Sequence, residues 1–499
     1  MTAQGVGGDI GTMNLTDLPH AQRPADAEPQ LRGLRELPGP RPWPLVGNAL
    51  QVRLSKVHQH VEAWVREYGP LIRVKLGGVP LLVISDHELI AQLLRDRPQG
   101  FRRPSRMQQV MREMGIPDGV FLAEGAHWER QRRMVMASFA PGQVRAYMPA
   151  LHRVAERLRQ RWVGTARAGG SIDLQLDLMR FTVDVIAGLA FGVEVDTLSS
   201  DEDVIQRHLD QIFPTIWRRS HALVPYWRWV KLPRDRRLDR SMLAVKAAIR
   251  DFMAQARARL ADPARRAAPQ NMLEAMLVSA DEPGSGMSDE DVVGNVFTML
   301  LAGEDTTATS LSWMIYLMSR RPETLRQARE EVDACLGEMA DWSAEDLGRL
   351  DYLEACIHES MRIKPVGPFN VVEALQDTVV GDVRIRKGTS VVMVMRHDTS
   401  REDVFAQAGD FMPERWLGED LPLAPSHAKR VSMPFGAGPR ICPGRYLALL
   451  EIKLAAAMLL KHFDVVVVDT PDGREAEEHM ALTMVPLGLK MRIRLRSSR

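Results

Sequence analysis

Cysteine is scarce in this chain. The 499 residues include three, Cys335, Cys356 and Cys442. An odd, sparse set excludes the disulfide framework of a small secreted protein. A reducing, intracellular and specifically cytoplasmic setting is expected. Net charge is also nearly absent: 65 Lys and Arg against 64 Asp and Glu leave +1, which gives nucleic acid no electrostatic footprint. No apolar run reaches the ~18 residues of a membrane-spanning helix. The opening segment MTAQGVGGDIGTMNLTDLPHAQRPADAEPQ lacks the basic head and apolar stretch of a signal peptide. Residues 1–36 read as a flexible N-terminal tail. There is no internal repeat.

What is present is 45% hydrophobic residues, ample for a large core. The lead-in LPGPRPWPLVGN (37–48) alternates proline with turn residues and reads as extended and semi-rigid. PLIRVKLGGVPLLVISD (70–86) reads as two strands joined around Gly77-Gly78. Helical periodicity dominates from about 87 to 360. Short strands return in DTVVGDVRIRKGTSVVMVM and at the C-terminal LKMRIRLR. The fold class expected is mainly α with small β-sheets (α+β), the sheets drawn from both ends of the chain. Segments 261–271 and 281–291 read as exposed connectors and not as domain boundaries.

The densest local signal is FGAGPRICPG, residues 435–444. Cys442 precedes the strongly helical RYLALLEIKLAAAMLLKHF. Three readings compete for it. A buried structural cysteine is the plain one. A zinc ligand needs further Cys or His at short spacing, and none lies nearby. The third is a lone axial thiolate on haem iron. A helix N-terminus favours the anion, Pro443 suits a first helical position, and the glycines let backbone approach a flat ligand. Phe435 can shield the sulfur, and Arg440 can neutralise a ligand carboxylate.

The pattern Phe435-x-x-Gly438-x-Arg440-x-Cys442-x-Gly444 resembles the haem-binding loop of the cytochrome P-450 family. The resemblance runs from about residue 37 to the end and implies one haem-thiolate monooxygenase domain over 37–499, with a long central helix over the haem. It implies haem b, its iron bound by the Cys442 thiolate, with O2 and electrons from NAD(P)H. Ala302-Gly303-x-Asp305-Thr306-Thr307 resembles the family's oxygen-activating helix, with Ala302 against the haem, Asp305 relaying protons and Thr306 gating them. Glu359, Arg362 and the later Arg415 match a buried structural triad. Trp128 and Arg132 match a propionate-binding pair, with Arg440 as a second anionic clamp.

Two departures stand out. Val372 occupies a position where many members have a propionate-binding arginine, so that contact is expected to be lost or replaced. Arg396-His397-Asp398 replaces the usual His-Arg-Asp order.

The implied reaction inserts one oxygen atom of O2 into a C–H or C=C bond of a largely apolar small molecule: a fatty acid, terpenoid, steroid or polyketide. The alternatives are a peroxide-using enzyme and a non-enzymatic haem sensor or carrier. Pocket walls are expected from Met107, Met111, Met114, Phe121, Phe213, Val366, Phe369, Thr483 and Met484. The chain looks like a soluble bacterial-type member without a fused reductase. A separate ferredoxin or flavodoxin with its reductase is expected to dock by Arg130, Arg133, Arg445 and Lys453. Segment 217–240, with eight basic residues and three tryptophans, reads as a solvated basic loop, a lid or a peripheral lipid contact.

Overall fold

Arg32 and Asp382, 350 positions apart, form a two-point ion pair at 2.7 and 2.9 Å. The computed structural model describes residues 31–139, 141–199, 204–418 and 425–496. Of the expected tail, residues 1–30 lie outside the described residues. Arg32–Gly33 does not behave as tail: it pairs in parallel with Val383–Ile385. Ordered structure therefore begins before residue 37.

The largest sheet has five strands. Leu71–Leu76 and Val79–Ile84 form the expected hairpin, turning at Gly77, whose φ is +58°. Val79–Ile84 then runs parallel to Ser390–Val394. Ser390–Val394 is antiparallel to Phe369–Ala374, which pairs with Phe101–Arg102 at the far edge. At the C-terminus Phe463–Asp469 pairs with Lys490–Leu495, and that strand with Ile172–Asp173. Sheets thus join segments from opposite ends of the chain. The connectors differ slightly from expectation: Pro263–Ala267 forms one short helix started by the Asp262 side chain.

The helical body is organised on the central helix Asp289–Ser319. Ser288 caps it: its hydroxyl accepts from the Asp291 N–H at 3.2 Å, and Asp291 accepts from the Ser288 N–H at 2.9 Å. Apolar stretches on either side of the polar 304–310 centre allow burial over most of the helix surface, down to a fully buried Trp313. Gly303 is there for a packing reason: a Cβ at that position would collide with Ile186. Helix Arg445–His462 crosses the same core, also buried nearly all round.

Candidate haem-thiolate site

A cavity of about 390 Å³ lies between the central helix, the 433–444 loop and the first turns of helix Arg445–His462. Cys442 is in its wall. The loop is closed by the Cys442 N–H donating to the Phe435 carbonyl at 3.0 Å. Gly438 sits at φ +70°, and any Cβ would collide with the Leu94 carbonyl. Phe435, Gly444, Leu447, Ala448, Glu451 and Ile452 continue the wall. Burial pushes the Cys442 thiol up, and the Gly444 N–H, Arg132 and Arg445 pull only partly against it. The Gly444 N–H at the helix start pulls toward the anion, as expected of a helix N-terminus, and burial is the largest opposing contribution.

The opposite wall is the central helix, with Ala302, Gly303, Thr306, Thr307 and Ser310. The Thr306 hydroxyl donates to the Ala302 carbonyl at 2.6 Å. Asp305 does not line the cavity. It accepts from the Thr483 hydroxyl, and from Thr309 at 3.3 Å. Burial pushes its carboxyl up, with those two hydroxyls opposing.

One end of the cavity is strongly cationic. Arg440 lies 4.6 Å over the Trp128 ring and donates to the Ala123 carbonyl at 2.8 Å and to Glu124. Its Nε and Nη1 have no partner. Arg97 is 2% exposed, and its Nε and Nη2 also have none. Arg103 lies 3.4 Å over Phe121, and Arg132 donates to the Ile441 carbonyl at 2.8 Å. All four arginines line the cavity. Burial, with Arg97 and Arg132 nearby and Glu124 opposing, brings Arg440 down to about 10. Four guanidiniums at this end, Arg97 buried and the others half-buried, with orphaned N–H groups on Arg97 and Arg440, fit a ligand carrying two carboxylates.

Sequence reasoning missed Arg97 and Arg103. No local spacing marks them, because only the tertiary fold brings them to Arg440. Val372, the departure noted above, is fully buried in a strand. Arg97 supplies a guanidinium at the cavity that Val372 cannot.

Glu359, Arg362 and Arg415 meet as a buried cluster. Arg362 donates to both Glu359 oxygens at 2.8 Å, and Arg415 donates to one at 3.2 Å. Trp416 and the Met412 N–H complete the carboxylate's shell at 2.9 and 3.0 Å. Arg396 grips Glu62 at 2.9 Å and Glu478 at 2.6 Å. Asp398 accepts from the His87 N–H at 2.9 Å. The reordered Arg396-His397-Asp398 is therefore a tie between distant segments.

Among the pocket residues, Phe121, Val366 and Phe369 line the cavity. Met107, Met111, Met114 and Phe213 pack in the main helical core instead. Met484 packs with Trp217 and Met480, and Thr483 is turned to Asp305. Helix packing draws these side chains away from the void.

On the Cys442 side, Arg133 is exposed, and Arg130 and Arg445 partly so. Lys453 is not available: it is 4% exposed and pairs with Glu354 at 2.6 Å. Segment 217–240 is mixed. Trp217 and Trp227 are buried, as is the Arg219–Asp235 pair at 2.9 Å. Trp229 is 71% exposed, and Leu223, Val224 and Val230 are also outside. Leu223 approaches the hairpin turn at Gly77, and Trp43 and Leu45 are exposed as well.

A lone thiol facing a Thr-bearing helix, with a dicarboxylate clamp at one end, defines a haem-thiolate protein. A sequence model of cytochrome P450 matches residues 37–493, and the chain belongs to the cytochrome P450 family, whose members bind haem iron through a cysteine thiolate and use O2. It is similar to a self-sufficient cytochrome P450 monooxygenase of Oidiodendron maius, 31% identical over 93% of this chain and 42% of the relative. A cytochrome P450 of Caenorhabditis elegans is 30% identical over 87% of this chain and 89% of the relative. The chloroplastic carotene epsilon-monooxygenase of Arabidopsis thaliana is 28% identical over 90% and 83%. The chain spans less than half the length of the fungal self-sufficient relatives.

Proposed function

We propose that this protein is a monooxygenase that transfers one oxygen atom of O2 to a C–H or C=C bond of a largely apolar small molecule. The observation that carries this reading is Cys442 in one wall of a cavity whose other wall holds Ala302 and Thr306. When bound, the haem supplies the iron at which O2 is activated.

The chain's own residues do the rest. Arg97, Arg103, Arg132 and Arg440 would hold the two propionates, and Trp128 flanks Arg440. The Glu359 cluster and the Phe435–Cys442 hydrogen bond brace the thiolate loop. The Thr306 hydroxyl spends its proton on Ala302, which leaves its lone pairs to accept from water in the cavity. Val120, Phe121, Val366 and Phe369 exclude bulk water and favour an apolar ligand. A fatty acid, terpenoid, steroid or polyketide fits that lining; retention of Asp305 and Thr306 disfavours a peroxide-only enzyme.

Electrons come from NAD(P)H through a reductase. A separate acidic ferredoxin or flavodoxin meeting Arg133, Arg130 and Arg445 is the finer reading. The setting is cytoplasmic; no helix among the described residues is long and apolar enough to cross a membrane. Exposed Trp229, Val230, Trp43 and Leu45, with exposed Arg236, Arg237 and Arg240, favour peripheral contact with an anionic lipid surface. Co-sedimentation with anionic vesicles, weakened by Trp229→Ser, tests it.

The central test is spectroscopic. The reduced, carbon monoxide-treated protein is expected to give the thiolate-haem band, and Cys442→Ala to lose it. Product formation with a surrogate redox partner must then depend on O2. The reading would be falsified if the thiolate band survived Cys442→Ala.

A further inference from the structure

Residues 119–124 carry Val120 and Phe121 into the cavity wall, and both ends of this stretch are tied down. At its start, the Val120 N–H donates to Asn295 on the central helix at 2.8 Å. Gly119 packs so closely there that a Cβ would collide with the Gly294 carbonyl. At its end, Glu124 accepts from the Arg103 N–H at 2.9 Å and from the Arg440 side chain. The Ala123 carbonyl accepts from Arg440 as well, at 2.8 Å. Phe121 lies between the two ties.

One side chain holds Phe121 itself. The Arg103 guanidinium lies 3.4 Å over its ring, and the Arg103 Nε–H donates to its carbonyl. Arg103 follows the edge strand Phe101–Arg102, which pairs with Phe369–Ala374, so its backbone is anchored in the largest sheet. Its side chain lines the cavity. Among the described residues, none accepts from its two terminal nitrogens. One edge of the guanidinium is thus spent on Phe121, and the other is left for an anion. The group is planar and rigid, so fixing its outer edge on a carboxylate also fixes the ring beneath it.

We infer that Arg103 is a positioning residue that links cofactor and substrate: a propionate on its terminal nitrogens fixes the Phe121 wall, and an apolar ligand against Phe121 steadies Arg103 on the propionate. The inference rests on the haem-thiolate reading. Such linkage is reciprocal, so each ligand strengthens the other by the same factor. The competing account makes Arg103 one cation among four, with no effect beyond haem affinity. Lysine separates the two accounts. It keeps the charge and loses both the flat stacking face and the second edge.

The experiment uses the haem-loaded full chain and two iron-binding probes, imidazole and 1-phenylimidazole, which differ by one apolar ring. The thiolate band is recorded first; its absence from the wild type overturns the haem-thiolate reading and the linkage with it, whereas every later failure overturns the linkage alone. In absorbance titrations the wild type is expected to prefer 1-phenylimidazole. Arg103→Lys is expected to cut that preference on the order of tenfold, through loss of a desolvated cation–π contact, with imidazole affinity held within about threefold. In the Phe121→Leu background the same substitution should change the preference by less than about threefold, because no ring is left to hold. Haem loss to excess apomyoglobin gives the reciprocal half. In the wild type 1-phenylimidazole should slow it more than imidazole does, and in Arg103→Lys the two probes should act alike. A wild type without the preference, an unchanged preference in Arg103→Lys, or strictly additive losses in the double variant overturns the proposal. If Arg103→Lys fails to load haem, Phe121→Leu decides: it keeps all four guanidiniums, and haem loss at the wild-type rate overturns the linkage.

Discussion

Arg440 stacks on Trp128 at 4.6 Å and still leaves Nε and Nη1 unpaired, and Arg97 is buried with two unpaired N–H groups of its own. Arg97 lowers the proton affinity of Arg440, and both lower that of Arg103, so this cluster of like charge favours an anion. Arg97→Met is expected to move two readouts in opposite directions. The haem-free protein should melt higher, because a buried unpaired cation is gone. Haem affinity should fall roughly ten- to hundredfold, equivalent to about one charge-assisted hydrogen bond. Calorimetry of the haem-free protein and haem titration check the two halves.

Glu359 is fully buried, with Arg362 and Arg415 on its oxygens. Glu359→Gln keeps the shape and removes the charge that both cations need. A loss of about 3–5 kcal/mol is expected from leaving buried cations uncompensated. Urea unfolding measures it; a loss below about 1 kcal/mol would place the cluster in the class of solvated pairs.

The Thr306 hydroxyl is satisfied within its own helix by Ala302 at 2.6 Å. Thr306→Ala should therefore leave stability within about 1 kcal/mol, the usual worth of one hydrogen bond, while diverting reducing equivalents to hydrogen peroxide. Peroxide assayed per NAD(P)H consumed decides this; unchanged coupling removes Thr306 from the relay.

Glu451 also sets a pH dependence. Its folded pKa is about 8, above the ordinary value near ~4.3 of an unfolded glutamate. Between those values the unfolded chain is ionised and the folded chain holds the proton. Stability of the haem-free protein should therefore fall as pH rises through that window, by up to about 1.4 kcal/mol per pH unit, and level off above it. Glu451→Gln should flatten that contribution. Denaturation midpoints across the pH range, compared between the two proteins, give the difference directly.

Gly303→Ala should cost about 1–3 kcal/mol, because its Cβ would overlap Ile186. Ile186→Val combined with it should recover part of that loss. A strictly additive double-mutant cycle would show that the two side chains do not share the space.

Much of the fold could be read locally. The Ser288 cap, the Gly77 hairpin and the long apolar helix announce themselves within a few residues, because caps, turns and periodicity are short-range physics. The thiolate loop is legible for the same reason: its glycines and Cys442 lie within one decapeptide. Arg97 and Arg103 were not legible, since their meaning comes from Arg440 across the fold. Glu451 did leave a signal, a lone acid inside LALLEIKLAAAMLL, but that sequence does not say whether the acid meets a cation or a cavity. The pocket walls were least legible. Met111 and Phe213 are as apolar as Phe121, and only the packing angle of their helices decides which faces the void.

Strand Arg32–Gly33 waits for Val383–Ile385, and Val79–Ile84 waits for Ser390–Val394. Loop closure over such separations is slow compared with helix formation. During synthesis the amino-terminal hairpin would leave the ribosome long before its parallel partner exists. It would present Leu82, Val83 and Ile84, all buried at the end, as an open apolar edge. The strand order thus sets a window of exposure during synthesis, and slower translation between the two halves would lengthen it.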